Sequence, residues 1–213
     1  MKRVLLALGA MAMMATPAMA ATCGTPSSYS VWVDAAGFSC TIGGLTFSNF
    51  GFGQAGASLG PDFDENVTVT PVNDANGAGF IFNPNLAVGP LTSSDIQITF
   101  TVTGPVDDAF IGFNGAFNGT GVSTISETLN GTTVFSVSNP PQVLTNHITF
   151  GTVNTLTVLK DINVTGGANG SASISSVTDQ FSSPVPEPAS LFLLGTGLVG
   201  LTARYRRRRN QVV

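Results

Sequence analysis

A single histidine, His147, and two cysteines, Cys23 and Cys40, are all that this 213-residue chain offers of the side chains most used in nucleophilic and metal chemistry. A Ser-His-Asp hydrolase needs a histidine to take the serine proton. His147 stands in a strand-like stretch, Thr145-Asn146-His147-Ile148-Thr149-Phe150, and no Gly-x-Ser-x-Gly elbow accompanies it. It reads as a strand-end residue with no role beyond packing or solvent contact. There is no His-Glu-x-x-His zinc motif, no glycine-rich phosphate loop closed by lysine and no cysteine cluster. A glycosidase requires two carboxyls held ~5–9 Å apart, and no motif singles out such a pair among the acids. The expectation is a protein that is not an enzyme.

Binding chemistry has a few more candidates. Asp62, Asp64 and Asn66 offer oxygen ligands at alternate positions, the spacing that opens a calcium loop. Val67 stands where an EF-hand needs glycine and Asn73 where it needs glutamate. A solvated turn is therefore the first reading, calcium the lesser one, and no other cofactor is implied. Asp107-Asp108 is a second acidic cluster of the same kind. Flat glycan sites present exposed Trp or Tyr rings for sugars to stack on. Tyr29 and Trp32 are the candidate platform, because the other aromatics between the two ends are phenylalanines at strand-like spacing. Asn-x-Ser/Thr, the glycan-acceptor pattern, occurs at Asn66, Asn118, Asn130, Asn163 and Asn169.

Charge narrows the partners. Of eight basic residues, seven lie near the ends, and Lys160 alone stands between Ala21 and Ser183 against eleven acids. Such a surface repels phosphate backbones, which bind through lysine and arginine, so nucleic acid is excluded. Charged residues make up 9% of the chain, far below the usual quarter, while 43% are hydrophobic. The balance is filled by Gly, Ser, Thr and Asn, a mix that suits an exported β-rich protein with many turns.

The elements that would position these side chains are strands. In residues 95–103, Ile96, Ile98, Phe100 and Val102 alternate with Gln97, Thr99, Thr101 and Thr103, giving one buried and one wet face. Similar runs occur at 44–52, 65–72, 79–83, 110–113, 121–129, 132–138, 146–150, 154–160 and 171–181. Asn130-Gly131 between two of them predicts a type I′ hairpin, since both residues tolerate positive φ. No helical periodicity exceeds a turn or two. The expected fold is all-β, an antiparallel β-sandwich or jelly-roll-like ectodomain spanning residues 21–182.

The two ends are addresses. Lys2 and Arg3, an apolar run at residues 4–14, and Ala18-Met19-Ala20 form a secretory signal peptide over residues 1–20, cut after Ala20. Its partners would be the Sec translocon and signal peptidase. Export places Cys23 and Cys40 in an oxidising compartment, where a disulfide between them is expected. Residues 183–213 begin with a proline-rich linker containing Val185, Pro186, Glu187 and Pro188. Residues 189–203 follow without a charge, about 22 Å long as a helix at ~1.5 Å per residue, a short membrane helix. Arg204, Arg206, Arg207, Arg208 and Arg209 then hold the basic tail, residues 204–213, in the cytoplasm as a stop-transfer signal.

Val185-Pro186-Glu187-Pro188, the apolar segment with Gly195, Gly197 and Gly200, and the arginine run resemble the PEP-CTERM sorting signal of Gram-negative bacteria. The resemblance implies recognition and cleavage by an exosortase, a membrane protease/transpeptidase. It also implies an inner-membrane anchored intermediate, then a place on the outer envelope surface or in an extracellular matrix with exopolysaccharide or biofilm. Residues 40–50 and 160–167 are similar to a cargo type carried on such tails, a likeness that implies no activity.

Overall fold

The computed structural model describes residues 21–56 and 59–184. Among these the chain forms β1 (Ala21–Thr22), β2 (Ser27–Ser28), a one-turn helix α1 (Ser30–Val33), β3 (Ser39–Ile42) and β4 (Leu45–Gly56). After a 3-10 turn (Phe63–Asn66) come β5 (Thr68–Asp74), β6 (Gly77–Asn83), β7 (Leu86–Val88) and β8 (Ser93–Asn118). The order ends with β9 (Val122–Leu129), β10 (Thr133–Asn139), β11 (Thr145–Thr165) and β12 (Ser171–Ser182). The all-β antiparallel sandwich expected from the alternation is the observed architecture, and β1 alone pairs in parallel, with β3.

The layers are joined by strands that serve both. The first half of β8 pairs with β4, from Ser94 to Thr103, and the second half with β12, from Asp108 to Asn118. β11 follows the opposite edge of β8 through both halves, and β9 and β10 extend the sheet beyond it. On the far side of β12 lie β7 and the row β6, β5, β2. The change of partner falls at Gly104-Pro105, which the ladders to β4, β11 and β12 all skip. Proline has no N–H to give a ladder, and Gly104 has φ +136 with Leu45 Cδ2 2.7 Å from where a Cβ would stand. β11 answers with register shifts between Thr149 and Val153 and between Val153 and Thr155. Bends and bulges of this kind let a strand pass from one layer to the other. The separate short runs expected at 110–113, 146–150 and 154–160 are therefore parts of two long strands.

Between the layers the alternating apolar positions meet. Ile96, Ile98, Phe100 and Val102 are buried, while Gln97 and Thr103 face solvent. Phe47 on β4 packs on Phe80 of β6 at 4.7 Å between ring centroids, and Phe100 lies 5.9 Å from Phe80 and from Phe181 of β12. Such ring pairs add ~0.5–1.5 kcal/mol each beyond burial. The predicted hairpin is present: Asn130 and Gly131 have φ of 49° and 71°, and the Thr132 N–H donates to the Leu129 carbonyl at 3.1 Å. Cys23 and Cys40 form a disulfide beside the β1–β3 pair.

Candidate functional site

The aromatic platform proposed from composition is not a surface. Tyr29 is fully buried and Trp32 only 5% exposed. The turn of α1 carries both rings down into the core, Trp32 at 5.0 Å from Phe80 and 5.1 Å from Phe50, Tyr29 at 5.7 Å from Phe82. The Tyr29 hydroxyl donates to the carbonyls of Thr99 (3.2 Å) and Gly51 (3.3 Å), and burial pushes the phenol well above its ordinary range. The reason is strength of burial: a large ring gains more from a closed aromatic cluster than from water. Neither side chain offers a face to a sugar.

Asp62, Asp64 and Asn66 lie on and just before the 3-10 turn, with Asp62 in the left-handed region at φ 58°. Ser28 Oγ donates to the backbone carbonyls of Glu65 and Asp64, tying this turn to β2. Among the described residues no group of three or more His, Cys, Asp or Glu side chains converges as metal ligands would. His147, half-exposed, places Nε2 3.4 Å from Asp108 Oδ2, and Ser182 Oγ donates to the same oxygen. These three border a recess of about 250 Å³. The carboxylate stands between histidine and serine, an order that orients both without relaying a proton from serine to histidine. Asp161, on the outward side of β11, is pushed up to about 6 by burial and then by the hydrogen bond and charge of Asp95. A second recess, about 370 Å³, crosses the outer face of four neighbouring segments and is bordered by Asn49, Thr99, Thr101, Thr128, Thr157 and Leu159.

The strongest concentration of chemistry lies inside. Lys160, the lone base of the exported domain, is fully buried with Glu127 and Asp179. Lys160 on β11 is directly opposite Glu127 on β9 and donates to Glu127 Oε2. Asp179 enters from β12 in the other layer, with Oδ2 3.2 Å from Lys160 Nζ. Neither Asp179 oxygen accepts a hydrogen bond of ordinary geometry, and Glu127 Oε1 is also unpartnered. Burial, then the charge of Asp179, pushes Glu127 up to about 8 against the pull of Lys160. Burial raises Asp179 too, and it lowers Lys160, but the two carboxylates outweigh it and hold the amine above its usual value. No sequence motif points to this triad, yet the strand alternation carries a signal for it. Each member sits at the buried parity of an alternating strand: Glu127 between Ile125 and Leu129, Lys160 between Val158 and Ile162, Asp179 between Val177 and Phe181.

The signal-cleavage residues Ala18 and Ala20, the motif Val185, Pro186, Glu187 and Pro188, and the arginines from Arg204 to Arg209 lie outside the described residues. Among the described residues no helix is long and apolar enough to cross a membrane. Residues 184–208 match the family model of the PEP-CTERM protein-sorting motif. That motif implies export through a membrane-anchored intermediate and processing by an exosortase, itself a membrane protein. No curated protein matches the chain. Among solved structures, TmCBM61 in complex with β-1,4-galactotriose aligns over 62% of this chain and 88% of its own, with 13% identity and a TM-score of 0.34. The enzymatically active domain of tailspike protein 4 of bacteriophage CBA120 aligns over 63% of this chain and 20% of its own, with 19% identity and a TM-score of 0.31. At these scores neither likeness carries an argument about what this chain does.

Proposed function

We propose that the protein is a structural or adhesive component of the cell envelope or extracellular matrix, delivered by its sorting signal and associated with exopolysaccharide. The observation that carries this reading is the PEP-CTERM motif at residues 184–208 behind an acidic β-sandwich. A core of interlocked phenylalanines and a disulfide suit a durable passive module. In the arrangement of His147, Asp108 and Ser182 the carboxylate separates serine from histidine, which argues against a serine-hydrolase role for that recess. A second reading, a glycan- or calcium-dependent binding module, has in its favour the recess on the outer sheet face, whose largely apolar lining offers a surface for the carbon face of a sugar ring.

The test removes residues 185–213 and follows the protein through cytoplasmic, membrane and matrix fractions of the producing cells. The full chain is expected in membrane and matrix fractions, the latter retained by polysaccharide, and the truncated chain to be absent from both. Equal distribution of the two chains overturns the reading. Matrix retention that vanishes when Thr101 and Thr157 are replaced by bulky residues, with sorting intact, favours the second reading.

A further inference from the structure

We propose that Lys160 and Asp179 join through an intramolecular amide bond, with Glu127 as the proton shuttle, cross-linking β11 of one layer to β12 of the other. The geometry supplies the reactants. Nζ lies 3.2 Å from Asp179 Oδ2, all three side chains are completely excluded from water, and buried apolar residues such as Ile125, Val158, Ile162 and Phe181 flank them on the same strand faces. Cγ, the atom to be attacked, is bonded to that oxygen, which places it within about one bond length of the ~3–3.5 Å near-attack range.

As a purely ionic cluster the triad is poorly satisfied. Taking charges out of water costs several kcal/mol per ion, and Glu127 Oε1 and Asp179 Oδ1 have no hydrogen-bond partner among the described residues. Two carboxyls and one amine share their protons most cheaply as a set without net charge. Lys160, held charged while both carboxylates face it, loses that support as the carboxyls take up protons, and its own proton then passes to carboxylate, leaving a neutral amine and two carboxylic acids. Such neutral forms are the ones an apolar interior favours.

The amine lone pair attacks Asp179 Cγ, forming the C–N bond. Glu127, raised to about 8 and so able to hold or give a proton near neutrality, first gives its proton to an Asp179 carboxyl oxygen and, now a carboxylate, takes the proton leaving nitrogen. It then protonates the departing Asp179 hydroxyl, which breaks from Cγ and leaves as water. One amine and one carboxylic acid become one amide and one water, with no change of oxidation state. Glu127 takes back the proton of the oxygen that becomes the amide carbonyl, so it ends protonated and donates to that carbonyl. The product removes the amine charge and one carboxyl from the core.

The mass of the full protein purified from the producing cells, denatured and reduced, tests this. It is expected to be lower than the processed sequence requires by one water. Fragmentation should find residues 160 and 179 in one branched peptide. Because Lys160 is the only tryptic site between residues 21 and 183, trypsin should leave the unfolded domain uncut there. Glu127→Gln, close in shape and neutral, should restore the full mass and the tryptic cut. Asp179→Asn should lose ammonia in place of water and arrive at the wild-type product mass. Full mass in folded wild-type protein overturns the proposal. So does a water loss that persists in Glu127→Gln or Lys160→Arg.

Discussion

Reducing the Cys23–Cys40 bond should lower the melting temperature by an amount set by the loop it closes. The cysteines are 17 residues apart, and closing such a loop removes about 3 kcal/mol of unfolded-chain freedom in the chain-entropy model. For a domain of this size each kcal/mol moves the melting temperature by ~2–4 °C, so the expected drop is ~6–12 °C. The assay is thermal unfolding of the exported protein followed by circular dichroism, with and without reductant. Cys40 is fully buried, so a reduced thiol keeps its packing and the reductant isolates the cross-link. Cys23→Ala with Cys40→Ala should fall further by the lost sulfur contacts. Apart from the bond, residues 21–23 are held by two register pairs, Ala21 with Cys40 and Thr22 with Thr41, and by the Cys23 N–H donating to the Thr41 carbonyl at 3.2 Å. A drop under about 2 °C in protein shown to be fully reduced would refute the reasoning. The segment up to Cys40 would then melt apart from the cooperative unit.

Trp32→Ala should cost ~3–5 kcal/mol, as for other large buried rings, and lower polysaccharide retention only as far as the protein unfolds. A stable Trp32→Ala protein that has lost retention would place Trp32 at a ligand site after all, with melting curves and pull-downs as the readouts. Asp161 is raised to about 6, against ~3.9 in an unfolded chain. Its contribution is therefore complete below pH ~3.9 and lost as pH rises through about 6. Much of the group faces water, so screening limits the effect to ~1 kcal/mol or less. Melting curves between pH 4 and 7.5 should show Asp161→Asn flattening this decline, and an unchanged slope would remove Asp161 as its source.

Alternation is a local property, and it made the β class and the buried faces readable: Ile96, Ile98, Phe100 and Val102 are inside as their spacing requires. The Asn130-Gly131 turn was equally local, a matter of two residues that tolerate positive φ. So was the sorting motif at residues 184–208, whose proline stretch, apolar run and arginines are contiguous. Strand length was not readable. Gly104-Pro105 marks a stop in any sequence reading, whereas the fold uses it as a bend inside β8 where no ladder partner is required.

Exposure of single aromatic residues also depended on the fold. Tyr29 and Trp32 are separated by many residues from Phe50, Phe80 and Phe82, and only the closing of two layers brings those rings together. The same closing decides the chemistry of the core. Residues 127, 160 and 179 belong to three strands, and the sequence holds the inward parity of each. Whether an inward charge meets water, a partner or another charge depends on register and layer packing. Those are set by the whole sheet, and here they place one amine between two carboxyls.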